Sequence, residues 1–394
     1  MYELLKGLKV LDLTRLLPGG YATQLLGDLG AEILKVEDPW QGDYMRWMEP
    51  HFPGTKESSL FWGLNRNKKS MTLNLKSPQG KRIFLDLVLN YDVVIEGFRP
   101  GVMAGLGLDY ETLKQVNPGL IMCSISGYGQ DGPYRMRAGH DINFTAIAGV
   151  LGLTGQSVDG DPVIPPVQLG DIGGGALMAV IGILAAYISR EKTGYGQYID
   201  VSMLDGVVSW LPMLLMEQVS KGTGAMKRGE LLLSGGEICY NVYQTKDGKY
   251  MALGALEPKF WETFCRLVDR EDLIKEQFSR NPSAKKEVEE VFRSKTREEW
   301  EALLADQDTC CEPVLTLEEA KEHPQLVARQ MFIPLDHPEA GPVDVIAPPV
   351  KFSQEPAGAV AKPPGYGEHT EEILTQELGL GTDEIKDLKE KGVI

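Results

Sequence analysis

Residues 8–37 read "LKVLDLTRLLPGGYATQLLGDLGAEILKVE", and the reading of this stretch decides the fold. Residues 8–13 are a short apolar run suited to a buried strand. Residues 19–30 open with two glycines and then place Leu25, Leu26 and Leu29 on one helical face. Residues 31–37 return to a strand. The alternation continues downstream. In "SPQGKRIFLDLVLNY" (77–91), Ser77 is suited to an N-cap and Pro78 to the first helical position. Ile83, Phe84, Leu87 and Val88 then follow helical spacing. Residues 92–98 and 119–129 read as further strands ending in glycine turns. Such alternation predicts a parallel sheet covered on both faces. Ligands of such sheets bind beyond the carboxyl ends of the strands. The segments to search are therefore 14–20, 37–39, 97–101 and 127–140.

The chain has 394 residues, enough for two or three domains. Its 40 basic and 56 acidic residues leave a net charge of −16. That argues against nucleic acid or an anionic membrane as the main partner, although local basic groups can still oppose the field. Five cysteines, Cys123, Cys239, Cys265, Cys310 and Cys311, lack metal-ligand spacing. They read as reduced structural thiols, and no metal site is expected. The opening "MYELLKGLKVLDL" lacks the order of a secretory signal, so a cytoplasmic location is expected. The most apolar run, "GALMAVIGILAAY" (175–187), has 13 residues. A membrane span needs about 20, so this run is expected to be a buried helix.

Beyond residue 170 the pattern predicts two long helices to about residue 219, separated by a turn at "REKTGYGQYID" (190–200). Residues 221–237 are glycine-rich and read as a crossing between domains. Residues 238–330 form a second unit opening with a hairpin, "CYNVYQTKDGKYMALGA" (239–255). Residues 331–364 read as proline-rich and extended, and a last helix begins at Thr370. No G-x-x-x-x-G-K-[ST] occurs, and "GDLGAE" after the first strand is not G-x-G-x-x-G, so a dinucleotide reading of the first domain lacks support.

Several residues can carry chemistry. His140, followed by Asp141, is either an acid/base or a ring that caps the helix starting at Asp141. Asp171 stands directly before Gly173, Gly174 and Gly175 and a long apolar helix. A helix cap would explain the aspartate, but not three glycines, each costing up to about 1 kcal/mol in a helix interior. Glycines there let a bulky partner approach the backbone, and an aspartate facing that opening can accept a proton or attack a carbonyl. Glu257, after an apolar strand, is either a solvated loop residue or a carboxylate that orients a histidine. Arg15, Lys35, Arg66, Lys68, Lys69, Arg99, Arg135 and Arg137 form a basic set, several just past strand ends. Together they can hold a phosphorylated ligand.

The segments "GLKVLDLTRLLPGGYATQLLGDLGAEILKVEDP", "EGFRPGV", "GYGQDGPYRMRAGHDINF", "GDIGGGA", "TGYGQYIDVSMLDG" and "GEHTEEIL" resemble the class III CoA-transferase and α-methylacyl-CoA racemase family (CaiB/BaiF type). The resemblance runs from the first strand to the last helix. It implies an α/β fold with a large Rossmann-like domain made by both chain ends and a small central α+β domain. The corresponding boundaries are 1–220, a linker at 221–237, 238–330, and 331–394 as linker and return. It also implies an interlocked homodimer, with an acyl-CoA held between the large domain of one chain and the small domain of the other. Coenzyme A would be the acyl carrier of the substrate rather than a resident cofactor. The expected CoA contacts are Arg15, Lys35, Arg66, Arg99, Gly127, Tyr128, Arg135, Gly173 and Gly174.

Two branches of the family differ at the site. Transferases use an aspartate matching Asp171 as a covalent nucleophile. Racemases keep that aspartate as a base and add the histidine of "GHDIN" and the glutamate of "GA-x-EP". This chain has His140, Asp141, Asp171 and Glu257, so the resemblance implies the racemase-like branch, with the transferase as the alternative. Under the racemase reading, the backbone around Asp141 and the helix start near Asp171 are the expected donors to an enolate oxygen. Glu237, in "LSGGEICYNVY", stands where the family's racemases imply a small apolar residue.

Overall fold

The computed structural model describes residues 1–222, 224, 226–354 and 358–394. Thr223 and Ala225 of the expected crossing, and residues 355–357 of the expected return, lie outside the described residues. Two compact units result. Unit 1 is Met1–Ala148, Val167–Trp210 and Val327–Ile394, and unit 2 is Gly149–Pro166 and Leu211–Leu326.

Unit 1 is built on six parallel strands: β1 (Lys9–Asp12), β2 (Glu32–Glu37), β3 (Lys68–Thr72), β4 (Val93–Glu96), β5 (Ile121–Ser126) and β6 (Tyr198–Ser202). Their spatial order is β3-β2-β1-β4-β5-β6. Val10 of β1 lies opposite Ile33 of β2 on one side and Val93 of β4 on the other. The order reverses at β1 and β4, which makes their carboxyl ends the topological switch point. Side chains alternate across the sheet. Leu11, Leu34, Val94 and Met122 enter one core, with Phe84 and Leu87 of the helix Pro78–Val88 and with Ile373 and Leu374 near the C-terminus. Val10, Ile33, Ile95 and Cys123 enter the other, with Ala22 and Leu26 and with Ala179 and Ile183.

The helices that position the site are α1 (Leu16–Asp28), α2 (Pro78–Val88), α3 (Asp141–Ile147), α4 (Leu169–Thr193) and α5 (Met203–Val208). Ser77 caps α2 as its sequence requires, its Oγ accepting from the Gly80 N–H at 2.9 Å. Helix α4 is the long helix expected from about residue 171; it runs 25 residues, beyond its 13-residue apolar run, and is long and apolar enough to cross a membrane by length and composition. Ala176, Ala179, Ile183 and Ala186 recur at three- and four-residue spacing and are buried against the sheet.

Two strands of the six-stranded sheet were not expected. Strand β3 contains Lys68 and Lys69, read above as part of the basic set. Strand β6 occupies the segment read as a turn between helices, with Met122 opposite Tyr198 and Ser126 opposite Ser202. The segment read as extended also contains a hairpin, which follows the strands of unit 2 in the chain.

Unit 2 carries three antiparallel strands, β7 (Tyr240–Gln244), β8 (Tyr250–Gly254) and β9 (Cys311–Pro313), with β8 in the middle. The hairpin read from the sequence is present, with Tyr240 opposite Gly254. Trp261, Phe264, Phe292 and Trp300 fill the core beneath it. The unexpected hairpin of unit 1 is β10 (Phe332–His337) with β11 (Gly341–Ile346).

Candidate active site

His140 immediately precedes α3 and is exposed. The first turn closes through other atoms. The His140 backbone N–H donates to Asn143 Oδ1 at 3.0 Å, and the Asn143 N–H donates to the His140 carbonyl at 2.8 Å. The imidazole is therefore not consumed as a helix cap.

Asp171 is the third residue of α4, whose first nine residues, Leu169–Leu177, are π-helical. The cap of this helix is Asp141 rather than Asp171. One oxygen of Asp141, Oδ1, accepts from the Gly170 N–H at 2.6 Å and from the Asp171 N–H at 3.1 Å. A carboxylate bound by two backbone donors is a strong acceptor, and it sits where the helix dipole favours negative charge. Asp141 thus fixes the backbone of Asp171 from thirty residues upstream. It also uses the two N–H groups at the α4 start that were expected to serve an enolate. The N–H groups of Asp141 and Ile142, in the first turn of α3, take no partner among the described residues.

Asp171 is half-buried, and its carboxyl is pushed up to about 6. Burial is the largest cause and the neighbouring charge of Asp141 adds to it, while His140 works in the opposite direction. His140, Asp141 and Asp171 therefore form one electrostatic cluster.

The glycines around this cluster admit the chain's own groups. A Cβ on Gly173 would lie 1.6 Å from the Trp210 ring, and one on Gly174 would lie 2.4 Å from the Met203 carbonyl of α5. A Cβ on Gly206 of α5 would in turn lie 2.4 Å from Gly174 Cα. The bulky partner inferred for these glycines is thus Trp210 and α5, which corrects the expectation that Gly173 and Gly174 open toward CoA. Gly127 and Gly170 likewise make room for the buried Phe144 ring of α3, against which Tyr128 packs edge-on.

The basic set divides. Lys35 is fully buried, 3.0 Å from Asp43 Oδ2, and donates to the Thr14 carbonyl at 2.7 Å. Arg66 is buried and pairs with both oxygens of Asp28 at 2.8 and 2.6 Å. Lys68 donates to Asp12 at 3.4 Å and to Asn65 at 2.8 Å. These three are internal ion pairs, which corrects their assignment to a phosphate site. Burial depresses the Lys68 ammonium to about 8, although Asp12 opposes the shift. Arg15 is partly exposed and donates to Asp38 at 2.9 Å, and Arg99 and Arg135 are exposed.

Glu257 lies in unit 2, exposed, between β8 and the helix Pro258–Leu267. Glu237 is buried, and its Oε1 accepts from Arg280 Nε at 3.0 Å and Nη2 at 2.9 Å. Sequence reasoning missed Trp210, Asp43 and the capping role of Asp141. It also missed Glu96, which burial pushes up to about 7 and whose Oε2 accepts from the Phe98 N–H at 2.7 Å. Glu96 ends a central strand, and that placement at the switch edge was the one signal available.

A doubly wound sheet with a desolvated carboxyl group and a free imidazole beside its ligand-binding edge describes an α/β enzyme. The chain belongs to CoA-transferase family III, whose family model matches residues 5–370. It is 36% identical over 394 residues to the α-methylacyl-CoA racemase of Homo sapiens, covering 99% of this chain and 97% of that one. It is 35% identical over 398 residues to the succinyl-CoA:glutarate CoA-transferase of Homo sapiens, covering 99% and 90%. A crystal structure of a CAIB/BAIF family protein from Brucella suis matches with a TM-score of 0.82 at 31% identity, over 95% of this chain and 99% of that one.

Proposed function

We propose that the protein is an acyl-CoA racemase that moves a proton between the two faces of the α-carbon of a 2-methylacyl-CoA. The observation that carries this reading is the cluster itself: a carboxyl raised to about 6 beside an imidazole unused by the helix cap. A general acid/base works best with its pKa near the working pH, and the raised carboxyl of Asp171 moves toward that condition. With one enantiomer bound, Asp171 enters as carboxylate and His140 as imidazolium. Asp171 takes the α-proton, the electron pair passes to the thioester oxygen as an enolate, and His140 returns a proton to the opposite face. The other enantiomer runs the sequence backward, from neutral imidazole and protonated Asp171. The free N–H groups of Asp141 and Ile142 are the donors assigned to the enolate oxygen.

Glu257 is assigned to orient the imidazole across an interlocked homodimer. Apolar surface on Ile181, Ile188, Met213 and Val219 supports burial of such faces by a second copy. Arg15, Arg99 and Arg135 remain the basic groups assigned to the CoA phosphates, with Gly127 and Tyr128 as further assigned contacts. A cytoplasmic location is part of the same reading, supported by five free thiols.

The alternative is CoA transfer through a covalent Asp171 thioester, and the burial that activates Asp171 as a base also suits it as a nucleophile. Incubation with one enantiomer of 2-methylacyl-CoA in deuterated water distinguishes the two. Racemisation with deuterium at the α-carbon, with inversion abolished by His140→Ala, supports the proposal. Absence of exchange, with CoA passing between acids only while Asp171 is intact, overturns it.

A further inference from the structure

We propose that Glu96 is a positioning residue for the phosphates of coenzyme A: its carboxyl anchors the loop that carries Arg99, and it takes up a proton when the phosphates arrive. Every group involved belongs to unit 1. The inference rests on the assignment of Arg99 to those phosphates and not on which transfer follows.

Glu96 is the last residue of β4, at the switch point of the sheet. It pairs in register with Ser124 of β5, and Ser124 pairs with Asp200 of β6. Residues in register share a face, so a carboxyl, a hydroxyl and a second carboxyl form one row. Glu96 is 4% exposed and Ser124 is buried, while Asp200 lies at the open edge. Both acids hold the loops beyond the strands. Glu96 Oε2 accepts from the Phe98 N–H at 2.7 Å, and Asp200 Oδ2 accepts from the Gln130 N–H at 2.9 Å. Arg99 directly follows Phe98, so the Glu96 carboxyl is tied to the backbone that carries it.

The row has no cation of its own. Asp200 is the charge that acts on Glu96, and Asp131 and Asp205 act on Asp200. The other titratable groups beside Glu96 are Cys123 of β5 and Tyr198 of β6, and burial keeps both protonated. Nearby cations are engaged elsewhere. Arg15 stands over the Phe98 ring at 5.7 Å but pairs with Asp38, and Lys114 of the helix Tyr110–Val116, whose Tyr110 meets Tyr198, pairs with Glu111. Ser124 Oγ lies beside the Glu96 carboxyl without a well-aligned hydrogen bond. A buried carboxylate without a cation is costly, and burial accordingly pushes Glu96 up to about 7, with Asp200 adding to the shift. Its proton therefore comes and goes at neutral pH. The neutral carboxyl still accepts from the Phe98 N–H, and it sets no charge against an incoming phosphate. A bound anion makes the charged form costlier still, so phosphate binding and protonation of Glu96 favour each other.

The test titrates free CoA into the protein by calorimetry in HEPES and in Tris, whose ionisation enthalpies differ, so that protons exchanged on binding are counted. An anion that raises Glu96 by about one unit draws in about half a proton at pH 7.5. Glu96→Gln keeps the acceptor but cannot titrate, and it is expected to take up about half a proton less than wild type. Ionisation of the CoA phosphates is common to both proteins and cancels in the difference. The ratio of Kd, wild type over Glu96→Gln, is expected to rise about sixfold from pH 6.5 to pH 8.5. Glu96→Ala removes the acceptor and is expected to bind CoA about tenfold more weakly than Glu96→Gln at both pH values. Asp171→Asn, measured alongside, is expected to keep the wild-type uptake. Equal proton counts in wild type and Glu96→Gln overturn the inference, as does a Glu96→Gln variant that binds as weakly as Glu96→Ala. Loss of the uptake in Asp171→Asn places the proton there and overturns it too. Unchanged CoA affinity in Arg99→Ala overturns the phosphate assignment and this inference with it. Failure of the racemase reading shows separately, in the deuterium experiment, and alters none of these counts.

Discussion

Asp171→Asn should separate activity from stability. The carboxyl of Asp171 is raised from the ordinary 3.8 to about 6, chiefly by burial and then by Asp141. The folded protein therefore holds this proton more tightly than the unfolded chain does. The stabilisation from the protonated form is fully present below pH 3.8 and is lost as pH rises through about 6. Two pH units correspond to about 3 kcal/mol, and solvent at the edge of the half-buried group reduces this to about 1–3 kcal/mol at pH 8. The amide of Asn is neutral at every pH and escapes the penalty. The assay is urea unfolding of wild type and Asp171→Asn at half-unit steps from pH 4 to pH 8. The variant should be catalytically dead, should unfold with wild type near pH 4, and should be more stable by that amount at pH 8. A gap independent of pH, or a variant less stable than wild type at pH 8, refutes the argument that the site is charged at a cost to the fold.

Asp141→Ala deletes the acceptor of two backbone donors. It should cost about 1–3 kcal/mol in unfolding free energy and, by letting the Asp171 backbone drift, lower kcat/KM by about 100-fold, measured as α-proton exchange. Gly173→Ala forces the Trp210 ring to move and should cost about 1–3 kcal/mol, read from denaturation midpoints. Lys35→Met strands the Asp43 carboxylate in the interior and should cost about 3–5 kcal/mol. The surviving folded fraction should bind CoA as wild type does, because Lys35 is assigned to the core rather than to the ligand. Arg99→Ala, by contrast, should weaken CoA binding without moving the unfolding midpoint, since Arg99 is exposed.

Three of the strands legible in the sequence are buried on both faces. Residues 9–12, 93–96 and 121–126 are buried or nearly so along their length and announce themselves. Strand β3 begins with two lysines. Its first, Lys68, points into a buried charge network that forms only when Asp12 and Asn65 are folded around it. Strand β6 is an edge strand whose first three residues are not buried, so its pattern imitates a turn. The same logic governs the site. His140 and Asp171 were legible as chemical types in a recognisable arrangement. The duty of Asp141 was not, because its hydrogen bonds reach 29 and 30 residues along the chain. Lys35 and Arg66 resembled ligand donors because a cation at a strand end looks the same whether it faces solvent or an aspartate from elsewhere.

Where α4 crosses α5, Gly174 and Gly206 meet backbone to backbone. Val207 and Met203 of α5 pack against Gly174 and Gly175 beside that contact. A methyl added at Gly174 or Gly206 would therefore force the two helices apart beneath Asp171. A designer altering this protein should leave both glycines alone, because a side chain at either would move the backbone that carries Asp171.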